Sequence, residues 1–548
     1  MSLFRNATSR FAANPSVDIK RSTFYQKYGI KTSFNAGKLI PLDWQEVLPG
    51  DTFSVDMACV VRMSTPIHPI MDDIFLDTYF FFVPARLCWD HWKEFMGENT
   101  TSAWEQETEY EIPQITAPTG GWAKGTIMDY MGVPTLKNNL SVNHLPVRAY
   151  INIWNEWFRD ENLQDPAYID LGDTTTAGSN GSTYVTDAIK GGETLPVNKY
   201  QDYFTTALPQ PQKGESVLLP LGNSAPVYAT TQSNPKNNTS GLQYKYMNGS
   251  DVPEGFSGIS LNNGQSVSST FNNTSITYRQ QIAPNNLQAD LTEATATNIN
   301  QIRLAFQMQK ALEKDARGGT RYVEMIKAHF GVTSPDARQQ RPEYLGGNRM
   351  PINISQVVQT SSTDTTSPQG NTAAYSLTGY KGNGYTKSFT EHGFVLTLVA
   401  IRTTHTYQQG IERKWSRQKR FDYYFPVFAN IGEQAILNKE IYAQGNTEDN
   451  EAFGYQEPWA EYRYVPNRVS GAMRSNYSKT LDSWHLADDY DSLPILGNEW
   501  IQETKANIDR TLAVQSSNED QFFGDFYFIN KATRPMPMFG IPGLVDHH

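Results

Sequence analysis

From Phe53 to Met63 the apolar residues fall on every second position: Phe53, Val55, Met57, Cys59, Val61 and Met63. Thr52, Ser54, Asp56 and Arg62 stand between them. A period of two predicts a strand with one face in a core and the other toward solvent or a neighbour. Pro66 and Pro69 end that strand. The next run, Ile74 to Val83, is apolar on both faces and predicts a strand in the middle of something thick. Two long strands of this kind in succession predict a two-layer β structure. Gly393 to Arg402 reads as another buried strand, and Phe421 to Phe428 and Phe522 to Ile529 as further candidates.

Helical spacing appears between the strands. Trp89, Trp92, Phe95 and Met96 predict a short helix that Gly97 can end. In LPVRAYINIWNEWFRD, Pro146 suits a first turn, and Val147, Tyr150, Ile151, Trp154, Trp157 and Phe158 form one apolar stripe. INQIRLAFQMQKALEKDARGG and RYVEMIKAHFG predict a helix pair, with Thr320 as N-cap of the second and Gly331 as its end. Ile431 to Tyr442 also reads as helical. Residues 360–387 read as a polar loop. The prolines of RPMPMFGIPG require an extended chain.

Residues 222–284 have a different character. They are rich in Asn, Ser, Thr and Gly and carry only five charged residues. Short alternations survive there, as in Leu242-Tyr244-Tyr246, Ile259-Leu261 and Ile276-Tyr278, and predict an exposed insertion of short strands and long turns.

Charge changes the picture at two places. The formal net charge is −11, yet residues 1–38 hold seven basic side chains against one acid, Asp18. Arg5, Arg10, Lys20, Arg21, Lys27 and Lys31 are interleaved with Phe4, Phe11, Phe24, Tyr25 and Tyr28. Such a basic arm can follow a phosphate backbone and stack on bases, or can anchor its rings on a neighbouring surface. In IERKWSRQKRF, Arg413, Lys414 and Arg417 surround Trp415. That patch reads either as a solvated turn or subunit contact whose arginines meet acids, or as a nucleic-acid contact.

Reactive chemistry is not visible. The nine histidines form no HExxH, and Cys59 and Cys88 form no zinc set. GYKGNGYTKS lacks P-loop spacing, and no GxSxG occurs. No cofactor or metal is expected, and the chain does not read as an enzyme. Two cysteines in so long a chain argue against a disulfide scaffold and fit synthesis in a reducing cytoplasm. No run approaches a membrane span.

Several long strings carry a resemblance. They include DARGGTRYVEMIKAHFGVTSPDARQQRPEYLGG, FTEHGFVLTLVAIR, TYQQGIERKWSRQKRFDYYFP and EQAILNKEIYAQG. LPVRAYINIWNEWFRD, DYFTTALPQPQKGE, FGYQEPWAEYRYVPNRVSG, LDSWHLADDY and RPMPMFGIPGL complete the set. In order along the chain, they resemble the major capsid proteins of the gokushoviruses, small icosahedral single-stranded DNA phages of the Microviridae. The resemblance implies a mainly β fold, an eight-stranded viral jelly-roll barrel with long inserted loops and several short helices. It implies a homo-oligomer of about 60 copies in a T=1 shell. It also implies a circular single-stranded DNA genome, a small basic DNA-packaging protein, a minor capsid or pilot protein, and a host surface receptor.

On this reading residues 1–40 are a basic arm on the capsid interior. Residues 41–221 and 285–548 are the two parts of the jelly-roll core, and residues 222–284 are a protrusion at the three-fold axis. Asn237, Asn238, Thr239, Asn248, Asn262 and Asn263 are its receptor-binding candidates. The interior DNA-binding candidates are Arg5, Arg10, Lys20, Arg21, Lys27 and Lys31 of the arm together with Arg413, Lys414 and Arg417. The virion capsid is the expected location, after synthesis in the bacterial host cytoplasm. A surface or secreted glycan-binding β-sandwich is the competing reading.

Overall fold

The computed structural model describes residues 20–98, 109–214, 217, 227–229, 244–246, 282–284, 287–289, 299–318, 321–331, 340–358, 360, 369–370 and 372–539. Eight long strands make its frame: β1 (Ser22–Phe34), β2 (Ile40–Val47), β3 (Thr52–Met63), β4 (Ile74–Pro84), β5 (Glu343–Pro351), β6 (Thr378–Ser388), β7 (Gly393–Thr403) and β8 (Phe522–Arg534). They form two antiparallel four-stranded sheets, ordered β1-β8-β3-β6 and β5-β4-β7-β2. Every connection between consecutive strands changes sheet except β4 to β5. That is the strand order of a double-sheet jelly roll.

The period-two face of β3 points between the sheets. Phe53, Val55, Met57, Cys59 and Val61 meet Phe522, Phe526 and Phe528 of β8, and Leu76, Phe80 and Phe82 of β4 face them from the other sheet. The opposite faces of β4 and β7 are buried too. Phe81, Val83, Leu396 and Leu398 pack beneath Val147, Tyr150, Ile151 and Trp154 of α1 (Leu145–Trp157). Burying each of these large side chains contributes about 1.5–3 kcal/mol, which is why β4 and β7 are apolar on both faces.

Polar groups fix the register of α1 on the sheet. Pro146 lies in its first turn, where no backbone donor is needed. The Tyr150 hydroxyl donates to the Leu39 carbonyl at 2.6 Å and accepts from the Leu195 amide at 2.9 Å. The Trp154 indole donates to the Pro196 carbonyl at 2.7 Å. The predicted helix pair forms as α2 (Ile299–Gly318) and α3 (Tyr322–Phe330), the latter ending at a left-handed Gly331. Arg321 precedes α3 with no side-chain cap, and Thr320 lies outside the described residues.

Four expectations change. The arm expected over residues 1–40 is, from Ser22 onward, strand β1, paired along its whole length with β8. The polar loop expected over residues 360–387 contains β6 and the second strand of an Ile354–Val358/Thr372–Ser376 hairpin. Glycine disguises β6 in the sequence. A side chain at Gly384 would lie 2.7 Å from the Val55 carbonyl oxygen, beside the irregularity between Asn383 and Tyr385. Close backbone approach and pairing with β3 therefore hold this strand, not its own β propensity. Third, residues 421–428 are not a strand but short 3₁₀ turns at Arg420–Asp422 and Pro426–Phe428, and the helix expected over 431–442 is a strand Gln434–Leu437 followed by one helical turn, Asn438–Ile441.

Residues Gln212–Lys314 form a second compact unit. Within it Val227–Ala229 pairs with Leu287–Ala289, and Tyr244–Tyr246 pairs with Ile282–Pro284. Of the predicted alternations, Tyr244-Tyr246 is a strand. Those at 259–261 and 276–278 lie outside the described residues.

Candidate nucleic-acid interface

The outer face of the β1-β8-β3-β6 sheet is not covered by α1 or its cluster. Its rows follow from the register. Lys31, Asp525, Val60 and Gly379 form one row, and Gly29, Tyr527, Ala58 and Lys381 the next. Lys27, Ile529 and Asp56 form a third, and Tyr25, Lys531 and Ser54 a fourth. Lys27, Lys31, Arg62, Lys381 and Lys531 are exposed on this face, with Asp56 and Asp525 as the exposed acids. The small residues Gly29, Ala58 and Gly379 leave a shallow depression of about 750 Å³, bordered by Lys31, Lys381 and Tyr527. Lys31 lies 3.6 Å from Asp525, a solvent-exposed pair worth little. The face thus offers an excess of exposed cations around exposed Tyr25 and Tyr527 rings, a chemistry suited to phosphates and unpaired bases.

Lys20 and Arg21 lead into β1 and are exposed. The Arg21 guanidinium donates to the Gly50 carbonyl and, at 3.0 Å, to the Thr52 hydroxyl, which ties it to the β2–β3 turn. The 413–417 patch is built differently. Arg413 donates to Glu440 at 2.7 Å and to the Ala435 carbonyl. Arg417 donates to Glu461 at 3.3 Å and stacks over Tyr462, 4.3 Å from the ring centre. Lys414 pairs with Glu412 at 2.5 Å. All three candidates therefore meet acids of their own chain, and two of them are mostly buried.

Residues 12–544 match the family described as capsid protein (F protein). The chain is 44% identical to capsid protein VP1 of Bdellovibrio phage phiMH2K over 98% of both chains. It is 43% identical to capsid protein VP1 of Spiroplasma virus 4 over 96% of both. It is 41% identical to capsid protein VP1 of Chlamydia phage 1 over 98% of both. The chain belongs to the phage capsid protein F family. It is a major capsid protein of the Microviridae, single-stranded DNA bacteriophages, and the glycan-binding reading is set aside.

In this capsid protein, Arg5, Arg10, Asn237, Asn238, Thr239, Asn248, Asn262 and Asn263 lie outside the described residues. Of the described candidates, Lys27 and Lys31 share the uncovered face, and Lys20 and Arg21 lead into it. Arg413, Lys414 and Arg417 cluster separately around Trp415. Sequence reasoning missed Arg62, Lys381 and Lys531. Their signal was outward position in a strand: Arg62 already stood on the polar face of β3, but Lys381 lay in a stretch read as loop.

The strongest polar cluster serves the fold. The His405 side chain is buried, with Nδ1 3.0 Å from Asp488 and Nε2 3.1 Å from Glu503. Burial opposes its charge, but the two carboxylates prevail and raise the imidazole to about 10. Lys199 joins at 3.7 Å from Asp488. Burial pushes the Cys59 thiol up to about 11 and the Cys88 thiol up to about 12, so both are inert, free thiols. Among the described residues, no group of three or more His, Cys, Asp or Glu is placed to hold a metal, and no helix is long and apolar enough to cross a membrane.

Proposed function

We propose that this capsid protein builds a T=1 icosahedral shell of about 60 copies around circular single-stranded DNA, and that the uncovered β1-β8-β3-β6 face turns toward the genome. The observation that carries the reading is the contrast within one sandwich. One sheet is sealed on its outer side by apolar packing, and the other presents five exposed cations against two exposed acids in the strands named above. Lys27, Lys31, Lys381 and Lys531 contact phosphates without reading sequence. Arg413 and Arg417, held by their own acids, are assigned to subunit architecture instead. A net charge of −11 per subunit opposes packaging, so a separate small basic protein neutralises most of the genome. A pilot protein, synthesis in the host cytoplasm, and a three-fold protrusion from residues 222–284 that attaches to the host complete the reading.

Virions assembled from a Lys27→Gln/Lys31→Gln/Lys381→Gln/Lys531→Gln subunit test it. Shells form, but the yield of DNA-filled particles falls severalfold while empty ones accumulate. An unchanged ratio of filled to empty particles would remove the genome-facing assignment. Replacing residues 222–284 by a short Gly-Ser linker separates the attachment role: shells still form and adsorption to the host collapses. Unchanged adsorption would exclude a receptor role.

A further inference from the structure

Two glycines on the uncovered face have no local reason to be glycine. Gly29 lies in β1 and Gly379 in β6, both exposed and both within strands, where glycine gives up stability. Neither has the left-handed backbone that favours glycine. Neither is crowded. A Cβ at Gly29 would meet its nearest atom, the Phe526 carbonyl oxygen, at 3.6 Å, and one at Gly379 would meet nothing within 4 Å. The other glycines of β6 differ: a Cβ at Gly382 would collide with the Tyr380 side chain, and one at Gly384 would lie 2.7 Å from the Val55 carbonyl oxygen. What Gly29 and Gly379 supply is open space on the outer side of the sheet. Glycine within a strand marks, among other things, a place where a ligand comes close.

That space adjoins Tyr527. In the cross-strand row Gly29-Tyr527-Ala58-Lys381, the ring stands between two residues too small to pack along it. Its inward neighbour Phe528 instead stacks on Tyr28, with ring centres 5.3 Å apart. Tyr527 is 43% exposed. The adjoining row, Lys31-Asp525-Val60-Gly379, completes the depression. Lys31 and Lys381 stand on the two outer strands, on opposite sides of it. Asp525, between them, repels a phosphate but accepts hydrogen bonds from the N–H groups of a base. The rim lysines in turn repel a basic peptide. The chemistry therefore places phosphates at the rim and a base in the centre.

We infer that this depression is a subsite for one unpaired nucleobase, stacked on Tyr527 with its edge on Asp525 and its flanking phosphates on Lys31 and Lys381. The inference rests on the reading that this face turns toward the genome. Stacking tolerates every base, because each has a π face, so the subsite selects single strands rather than sequences. A duplex would first have to unstack a base.

The test uses the full-length subunit and two probes, a single-stranded oligonucleotide of mixed sequence and the same strand with its bases removed. Tyr527→Leu should weaken binding of the base-bearing strand at least about fivefold and leave that of the base-free strand unchanged. Gly29→Val, which fills the space beside the ring, should do the same while folding at least as stably as the native chain. Neither should alter the salt dependence, because the lysines remain. A Tyr527→Leu subunit that keeps native affinity for the base-bearing strand, or loses both strands equally, overturns the subsite. The face reading fails separately. If replacing Lys27, Lys31, Lys381 and Lys531 by Gln leaves the salt slope unchanged, that reading falls and the subsite with it. A reduced slope with no effect at Tyr527 removes the subsite alone.

Discussion

The two outer faces of the sandwich are made of the same kind of strand and have opposite fates. On the β5-β4-β7-β2 sheet, Phe81, Val83, Leu396 and Leu398 lie under α1 and its cluster. On the β1-β8-β3-β6 sheet, the equivalent outward positions are Lys27, Lys31, Val60, Lys381 and Tyr527, all exposed. The difference lies in what the connections carry. The β4–β5 connection, residues 85–342, includes α1, which lies over the first of these faces. Among the described residues, that cluster does not extend over the second. A covered face contributes stability, and an uncovered, charged one is free, on the reading proposed above, to make contact.

The largest effect should come from the covered face. Trp154→Ala removes a fully buried indole and should lower unfolding free energy by about 3–5 kcal/mol, measured by denaturant titration of the free subunit. Val60→Ala on the uncovered face should leave it within about 0.5 kcal/mol. Equal costs would erase the distinction between the faces.

The knot that closes the far end of β7 comes next. His405→Gln leaves Asp488 and Glu503 buried without their imidazolium and should cost about 3 kcal/mol. Its pH dependence has a definite sign. The folded value of about 10 exceeds the unfolded one of about 6.5, so the stabilisation is complete below about 6.5 and is lost as pH rises through about 10. The melting temperature of the native subunit should therefore fall between pH 7 and 10 more steeply than that of His405→Gln. Parallel curves would contradict the charged assignment.

A smaller effect tests the uncovered face directly. If Lys27, Lys31, Lys381 and Lys531 each neutralise a phosphate, replacing all four by Gln should reduce the slope of log K against log salt for single-stranded DNA by about 0.7 per lost contact. An unchanged slope would place the DNA elsewhere. The smallest effect belongs to the thiols. Cys59 lies within the sandwich and Cys88 under the covered face, both unpaired, so reductant should not move the melting temperature.

Much of this contrast was legible in the pattern of apolar positions. The alternation in β3 and the doubly apolar runs of β4 and β7 announced one half-buried and one fully buried sheet. The stripe Val147-Tyr150-Ile151-Trp154 announced the cover. What stayed hidden were strands defined by their partners. In β6, Gly379, Gly382 and Gly384 lower β propensity and conceal the strand, which pairing with β3, and at Gly384 close approach to the Val55 carbonyl, holds in place. In β1 the interleaved Lys and aromatic residues resemble a free arm, and only the thirteen-residue ladder to β8 makes them one edge of the sheet. The uncovered interface was half legible for the same reason: Lys27 and Lys31 were visible as charge, whereas Lys381 and Lys531 join them only through register.

The central claim is that the uncovered sheet faces the genome. An electron cryo-microscopy reconstruction of filled particles tests it without any substitution. The account predicts that the outer face of β1-β8-β3-β6 lines the interior, with ordered density against Lys27, Lys31, Lys381 and Tyr527. A reconstruction with that face turned outward, or buried between subunits with no nucleic acid against it, would contradict the account.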